Sequence, residues 1–189
     1  MGRVRYGFSK LYYAVATEGA GGALTYGTPT AIPGAKSLSM SPAGSSYSEN
    51  ADNVTWHSGT TNDGYTGDLV FEDTAAADAF MTEVLGRTKN ATSGLVVEKA
   101  TDQPVEFALL GQFELAGGTE VGKRVCFYRC VASRPTIEGA TTENGSVTIA
   151  TNTLSITAMP RINDTAVESA AVSTDSIYAN WYSAVPENA

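Results

Sequence analysis

The sequence specifies a mainly β (α+β) protein, an antiparallel β-sandwich or barrel with one flanking α-helix. Three observations carry that assignment. Between Arg124 and Pro160 two runs alternate with period two about a polar turn, short β-branched and aromatic runs recur elsewhere between Gly, Pro, Asn and Asp, and one stretch alone has helical spacing.

The Arg124–Pro160 pair is the strongest signal. In its first run Val125, Phe127 and Val131 share one face and Cys126, Tyr128, Cys130 and Ala132 the other, so both faces are apolar and the strand lies deep in a sheet. In the second, Leu154, Ile156 and Ala158 alternate with Thr153, Ser155 and Thr157, the pattern of a half-buried strand. Glu143-Asn144-Gly145-Ser146 supplies the positive-φ residues that a turn between antiparallel strands needs.

The remaining elements follow in chain order. Residues 1–10 read as a flexible basic arm that becomes a strand through Thr17, and residues 26–34 are extended and Pro-punctuated, as at a sheet edge. The stretch 41–52, rich in Ser, Gly, Pro and Asn, is expected to be an interaction loop, since long loops inside a compact domain are usually functional. A strand over 53–58, a turn at Asn62-Asp63-Gly64 and a strand over 65–71 come next. Asp73 or Thr74 caps a helix over 75–85, whose Ala77, Phe80, Met81, Val84 and Leu85 make one apolar stripe and which Gly86 ends. Strands over 95–98 and 105–114 lead to the Arg124 run, and past Arg161 a turn at 162–165 precedes a short strand over 166–168.

Charge and chemistry narrow the function. A net charge of −8 argues against a reader of nucleic-acid grooves. Residues 1–17 hold Arg3, Arg5 and Lys10 with no acid, whereas 162–189 hold Asp164, Glu168, Asp175 and Glu187 with no base, two poles suited to head-to-tail stacking. Cys126 and Cys130 stand four apart on one strand, about 13 Å between α-carbons, too far for a disulfide and consistent with buried thiols in a reducing compartment. The one histidine, His57, has no second His or clustered Cys to build a metal site, and neither a phosphate loop nor a nucleophile elbow occurs. No catalytic residue, metal or cofactor is expected, nor a signal peptide or membrane-spanning run.

With the strands placed, a family likeness emerges. Cys130-Val-Ala-Ser-Arg-Pro-Thr-Ile-Glu-Gly139 and Thr153-Leu-Ser-Ile-Thr-Ala-Met-Pro-Arg161 resemble the major tail proteins of long-tailed, non-contractile-tail phages. So do Tyr26-Gly-Thr-Pro29, Ile32-Pro-Gly-Ala35, Ala51-Asp-Asn53, Asn62-Asp-Gly-Tyr-Thr-Gly67, Val84-Leu-Gly86 and Phe107-Ala-Leu-Leu110, in consistent order over roughly residues 6–162. The resemblance implies a virion protein made in the host bacterial cytoplasm. It implies a β-sandwich with a flanking helix, hexameric rings stacked into a tail tube, and a bore passing genomic DNA and the tape-measure protein, with tail-terminator or distal tail proteins at its ends. Residues 1–162 would form the domain, with the N-terminal arm and the 41–52 loop joining rings, and 163–189 a C-terminal extension or arm. Past Arg161 the likeness fails, because Asn163-Asp164-Thr165 stands where an Asp-Gly hairpin is expected.

The residues expected at subunit or ring contacts are Arg3, Arg5, Tyr47, Trp56, Arg134, Glu138, Arg161, Tyr178, Trp181 and Tyr182. Two alternatives stand beside the phage tube: the inner tube of a contractile tail-like particle, and a carbohydrate-binding sandwich that stacks sugars on Trp56, Trp181 and Tyr182.

Overall fold

A computed structural model describes residues 3–137 and 151–187. The chain is mainly β, built on one large antiparallel sheet with a single α-helix among the described residues. Strand β1 (Val4–Glu18) is followed by two short strands, β2 (Leu24–Tyr26) and β3 (Thr30–Ala31), which both return to pair with it. Next come β4 (Ala35–Ala43), β5 (Ser46–Ala51), β6 (Val54–Thr60) and β7 (Gly64–Glu72), then helix α1 (Ala75–Val84) and the miniature pair β8 (Thr88–Lys89) and β9 (Val96–Val97). The chain closes with β10 (Phe107–Ala116), β11 (Gly122–Ala132), β12 (Thr151–Met159) and β13 (Glu168–Val172). The sheet order is β2-β1-β10-β11-β12-β7-β4, with β13 extending from β11 and β3 from β1. The sheet curls far enough to bring β4 back alongside β1 without a hydrogen-bonded ladder between them. The result is a barrel with one open seam.

The inside of the curl is the main core. Leu11, Leu69, Phe71, Phe107, Leu109, Leu154 and Ile156 meet there with almost no exposure. Helix α1 plugs it: the Thr74 hydroxyl accepts from the Ala77 amide at 3.1 Å, Gly86 takes φ +68 beyond the last turn, and Phe80 packs against Tyr13, Phe71 and Phe107 at ring distances of 4.7 to 5.9 Å. A second, smaller core lies on the outer face of β1, β10 and β11, where Ala14, Ala108, Leu110, Cys126 and Tyr128 are covered by Ala171, Trp181 and Val185 from the C-terminal segment.

The structure corrects the period-two assignment of the Arg124 run. β10 and β11 pair as Leu109↔Phe127 but Phe107↔Cys130, so β11 carries one extra residue there and its alternation flips. Cys126 and Tyr128 therefore face the outer core while Cys130 and Ala132 face the inner one, putting the two cysteines on opposite sides of the sheet. Burial pushes both thiols well above their ordinary pKa, which leaves them protonated and unreactive near neutral pH.

Two further expectations change. The basic N-terminal arm is strand from Val4 onward, paired with β10 as far as Val4↔Ala116; Gly7 and Lys10, both at positive φ, sit where the register shifts and bend it. The polar stretch 41–52 is a ribbon instead of a loop. The β4–β7 ladder ends at Ala43↔Gly64, is bridged by the Thr61 amide donating to the Ser45 carbonyl at 2.9 Å, and resumes as β5–β6 from Ser46↔Thr60 to Ala51↔Val54. Asp52 and Asn53 close it with φ of 52° and 63°, the two-residue turn whose twist matches paired strands. The Asn144-Gly145 turn, Glu138 and the start of the final long strand lie outside the described residues.

Candidate functional site

Among the described residues the β5–β6 ribbon is the longer of the two strand pairs that stand outside the main sheet. It forms a two-stranded sheet of its own, and all of its paired residues except Gly59 are exposed. A two-stranded sheet without a third layer is marginal in water. Glu49 pairs with His57 while Asn50 pairs with Thr55, which makes Trp56 the extra residue of a bulge and turns its indole outward at 72% exposure. Val54 and Tyr47 are also exposed, and the Tyr47 ring leans on His57 at 5.8 Å and lies over Gly59, where any Cβ would meet the phenol at 2.5 Å. Within 46–60 the charges are Glu49 and Asp52, with no Lys or Arg.

Near the ribbon's base the barrel seam opens as a cleft of about 350 Å³. Leu38 and Met40 of β4 and Tyr65 of β7 form one wall and Phe113 of β10 another. Arg5 lies over the Phe113 ring, its guanidinium carbon 4.7 Å from the centroid, and Lys123 and Glu168 border the same opening. Arg3, next to it, pairs with Glu120.

At the other surface of the sheet the C-terminal segment is clamped by two buried arginines. Arg161, 4% exposed, lies over the Tyr128 ring at 4.2 Å, donates through Nε and Nη2 to the Asp164 carboxylate and through Nη1 to Glu187 at 2.8 and 2.9 Å. Burial works against its charge, but the hydrogen bonds to Asp164 and Glu187 outweigh it and raise its pKa; in return Arg161 holds the Asp164 carboxyl below the usual carboxylate range. Arg124 has no carboxylate in ion-pair range among the described residues. Its Nε donates to Gln112 Oε1 at 3.0 Å and Nη1 to the Tyr178 carbonyl, and it lies against the Tyr178 and Tyr182 rings at 3.7 and 4.6 Å. Tyr182 stacks on Tyr12 at 4.3 Å and Trp181 is 2% exposed in the outer core.

The expected contact residues thus divide. Tyr47 and Trp56 are on the free ribbon, and Arg3 and Arg5 lie at the seam. Arg134 pairs with Glu98 at 2.7 Å, a carboxylate it shares with Arg87. Arg161, Tyr178, Trp181 and Tyr182 make contacts within their own chain: Arg161 and Trp181 are buried, and the half-buried Tyr178 and Tyr182 pack on Arg124 and Tyr12. That also breaks up the trio proposed for stacking sugars, leaving Trp56 as its exposed member. Sequence reasoning missed Gln112 and Arg124; the signal was a basic residue two positions before Cys126 on an otherwise apolar face. Among the described residues no group of three or more His, Cys, Asp or Glu could hold a metal, and no helix is long and apolar enough to cross a membrane.

The fold defines the chain as an antiparallel β protein of the sandwich class, with one α-helix among the described residues. No protein-family model and no curated protein matches it.

Proposed function

We propose that this chain is a structural subunit that assembles with copies of itself, in hexameric rings stacked head to tail, into the tail tube of a long-tailed phage. Genomic DNA would pass down the bore without specific binding, the tape-measure protein would occupy it beforehand, and tail-terminator or distal tail proteins would cap it. The observation that carries this reading is the β5–β6 ribbon, an ordered hairpin with exposed Trp56, Val54 and Tyr47 and no packing on its own chain. Ordered apolar surface of this kind fits a partner-binding role, and large aromatics dominate contact energies. The family resemblance over roughly residues 6–162 supports another copy as that partner, and the net charge of −8 suits a conduit that must not retain DNA.

Negative-stain microscopy of the purified protein over a concentration series tests it. Rings and hollow rods are the expected result. A folded particle of one-subunit size at every concentration would refute self-assembly. Rods found only inside contractile sheaths would move the protein to the inner tube of a contractile particle.

A further inference from the structure

The seam cleft and the ribbon are complementary, and we infer that the β5–β6 ribbon of one copy seats Trp56 in the seam cleft of a neighbouring copy. This rests on the self-assembly reading and supplies its contact surface. Three observations bring the two together. The cleft walls are partly exposed apolar side chains, Leu38 and Met40 of β4 and Tyr65 of the paired β7 on one side and Phe113 of β10 on the other, so an inserted apolar group covers surface that the fold leaves wet. The bulge presents an indole as the most exposed large aromatic of the ribbon, and a cleft of about 350 Å³ has room for it. The charges match in sign: Arg5 and Lys123 against Glu168 leave the cleft one positive charge, while the ribbon contributes Glu49 and Asp52 unopposed.

The position of the cleft fixes how copies meet. Tyr65 adjoins Gly64, the last rung before the ribbon, so cleft and ribbon base share one end of the barrel. A ribbon arriving from another copy lies beside the host's own ribbon. The six paired rungs of β5–β6 span about 20 Å at the usual rise per residue, a reach suited to a lateral neighbour. The contact is heterologous, ribbon to cleft, and repeated about an axis it builds a ring where the rotation between copies closes.

The test uses the full chain with a photo-crosslinking benzoyl-phenylalanine in place of Trp56, mixed with ¹⁵N-labelled wild type and irradiated at an assembling concentration. Isotope-mixed crosslinks from position 56 to residues 38–40, 65 or 113 of the other copy are expected. The reciprocal variant, with the same probe at Met40, should capture residues 54–57. Trp56→Ala should weaken association about thirty-fold, as for a central aromatic anchor. The reversal Asp52→Lys should weaken it and be partly rescued by Arg5→Glu. Crosslinks between copies that fall elsewhere would overturn this contact while leaving self-assembly standing. Absence of any crosslink between copies in a protein that stays monomeric would overturn both.

Discussion

Truncating Trp181 to alanine should remove the seal between the C-terminal segment and the sheet. The indole is fully buried among Leu110, Cys126 and Tyr128, and its Nε1 has no hydrogen-bond partner, so the loss is almost purely one of apolar packing. Large aromatic-to-alanine changes in a core cost about 3–5 kcal/mol. For a chain of this size that is a fall of roughly 10 °C in Tm. The cost should concentrate on β13 and the segment after it, because the remaining core lies inside the curl and does not touch Trp181. The arrangement of the thiols gives a local readout. Cys126 lies under the segment and Cys130 faces the inner core, so an aromatic disulfide reagent under native conditions should modify Cys126 in the variant well before Cys130, and neither in the wild type. Loss of less than about 1 kcal/mol in urea unfolding, or equal modification of the two cysteines, would refute the assignment of a separate outer core closed by Trp181.

Other predictions are more local. The Asp164 carboxyl is held below its unfolded pKa by Arg161, so its contribution is present above the unfolded value and is lost as pH falls through the lower folded value. Urea midpoints measured from pH 6 down to pH 3 should therefore fall more steeply in the wild type than in Asp164→Asn, and parallel curves would contradict this. At Gly67 a Cβ would stand 1.8 Å from the Ser39 carbonyl oxygen, within the β4–β7 ladder, so Gly67→Ala should leave little folded protein by circular dichroism. Gly21→Ala has open space and only its positive φ to strain, so it should cost about 1 kcal/mol in the same measurement.

Much of this fold was legible in the sequence because local signals and tertiary packing agreed. The helix is specified by a cap at Asp73 or Thr74, its apolar stripe and Gly86, and it folds as those residues direct, with Thr74 as the cap. The alternation of Leu154, Ile156 and Ala158 places β12 with those three inward. The bulge in β11 was not legible, since an extra residue opposite Ala108 leaves no mark on a strand that is apolar on both faces. The strand over 53–58 is legible and forms β6, but its partner β5, inside the stretch 41–52, is not: there polar residues alternate with polar ones, no core selects a face, and the turn is made by Asp52-Asn53 without a glycine. The arginine clamps were hidden for another reason. Arg124 reaches Tyr178 and Arg161 reaches Glu187 across long chain separations, and a buried guanidinium looks no different in sequence from a solvated one. Of the candidate site, Tyr47 and Trp56 were visible as aromatics in a polar stretch, whereas the cleft depends on where the curl brings β4 and β1.

Sedimentation velocity of the intact chain beside a variant in which 46–60 is replaced by a short Gly-Ser turn tests the central claim most directly. The ribbon packs on nothing in its own subunit, so the variant should melt within about 2 °C of the wild type. The intact chain should grow from single subunits to rings and larger species as concentration rises, while the shortened one sediments as a single subunit throughout. Identical growth of both species would contradict the account.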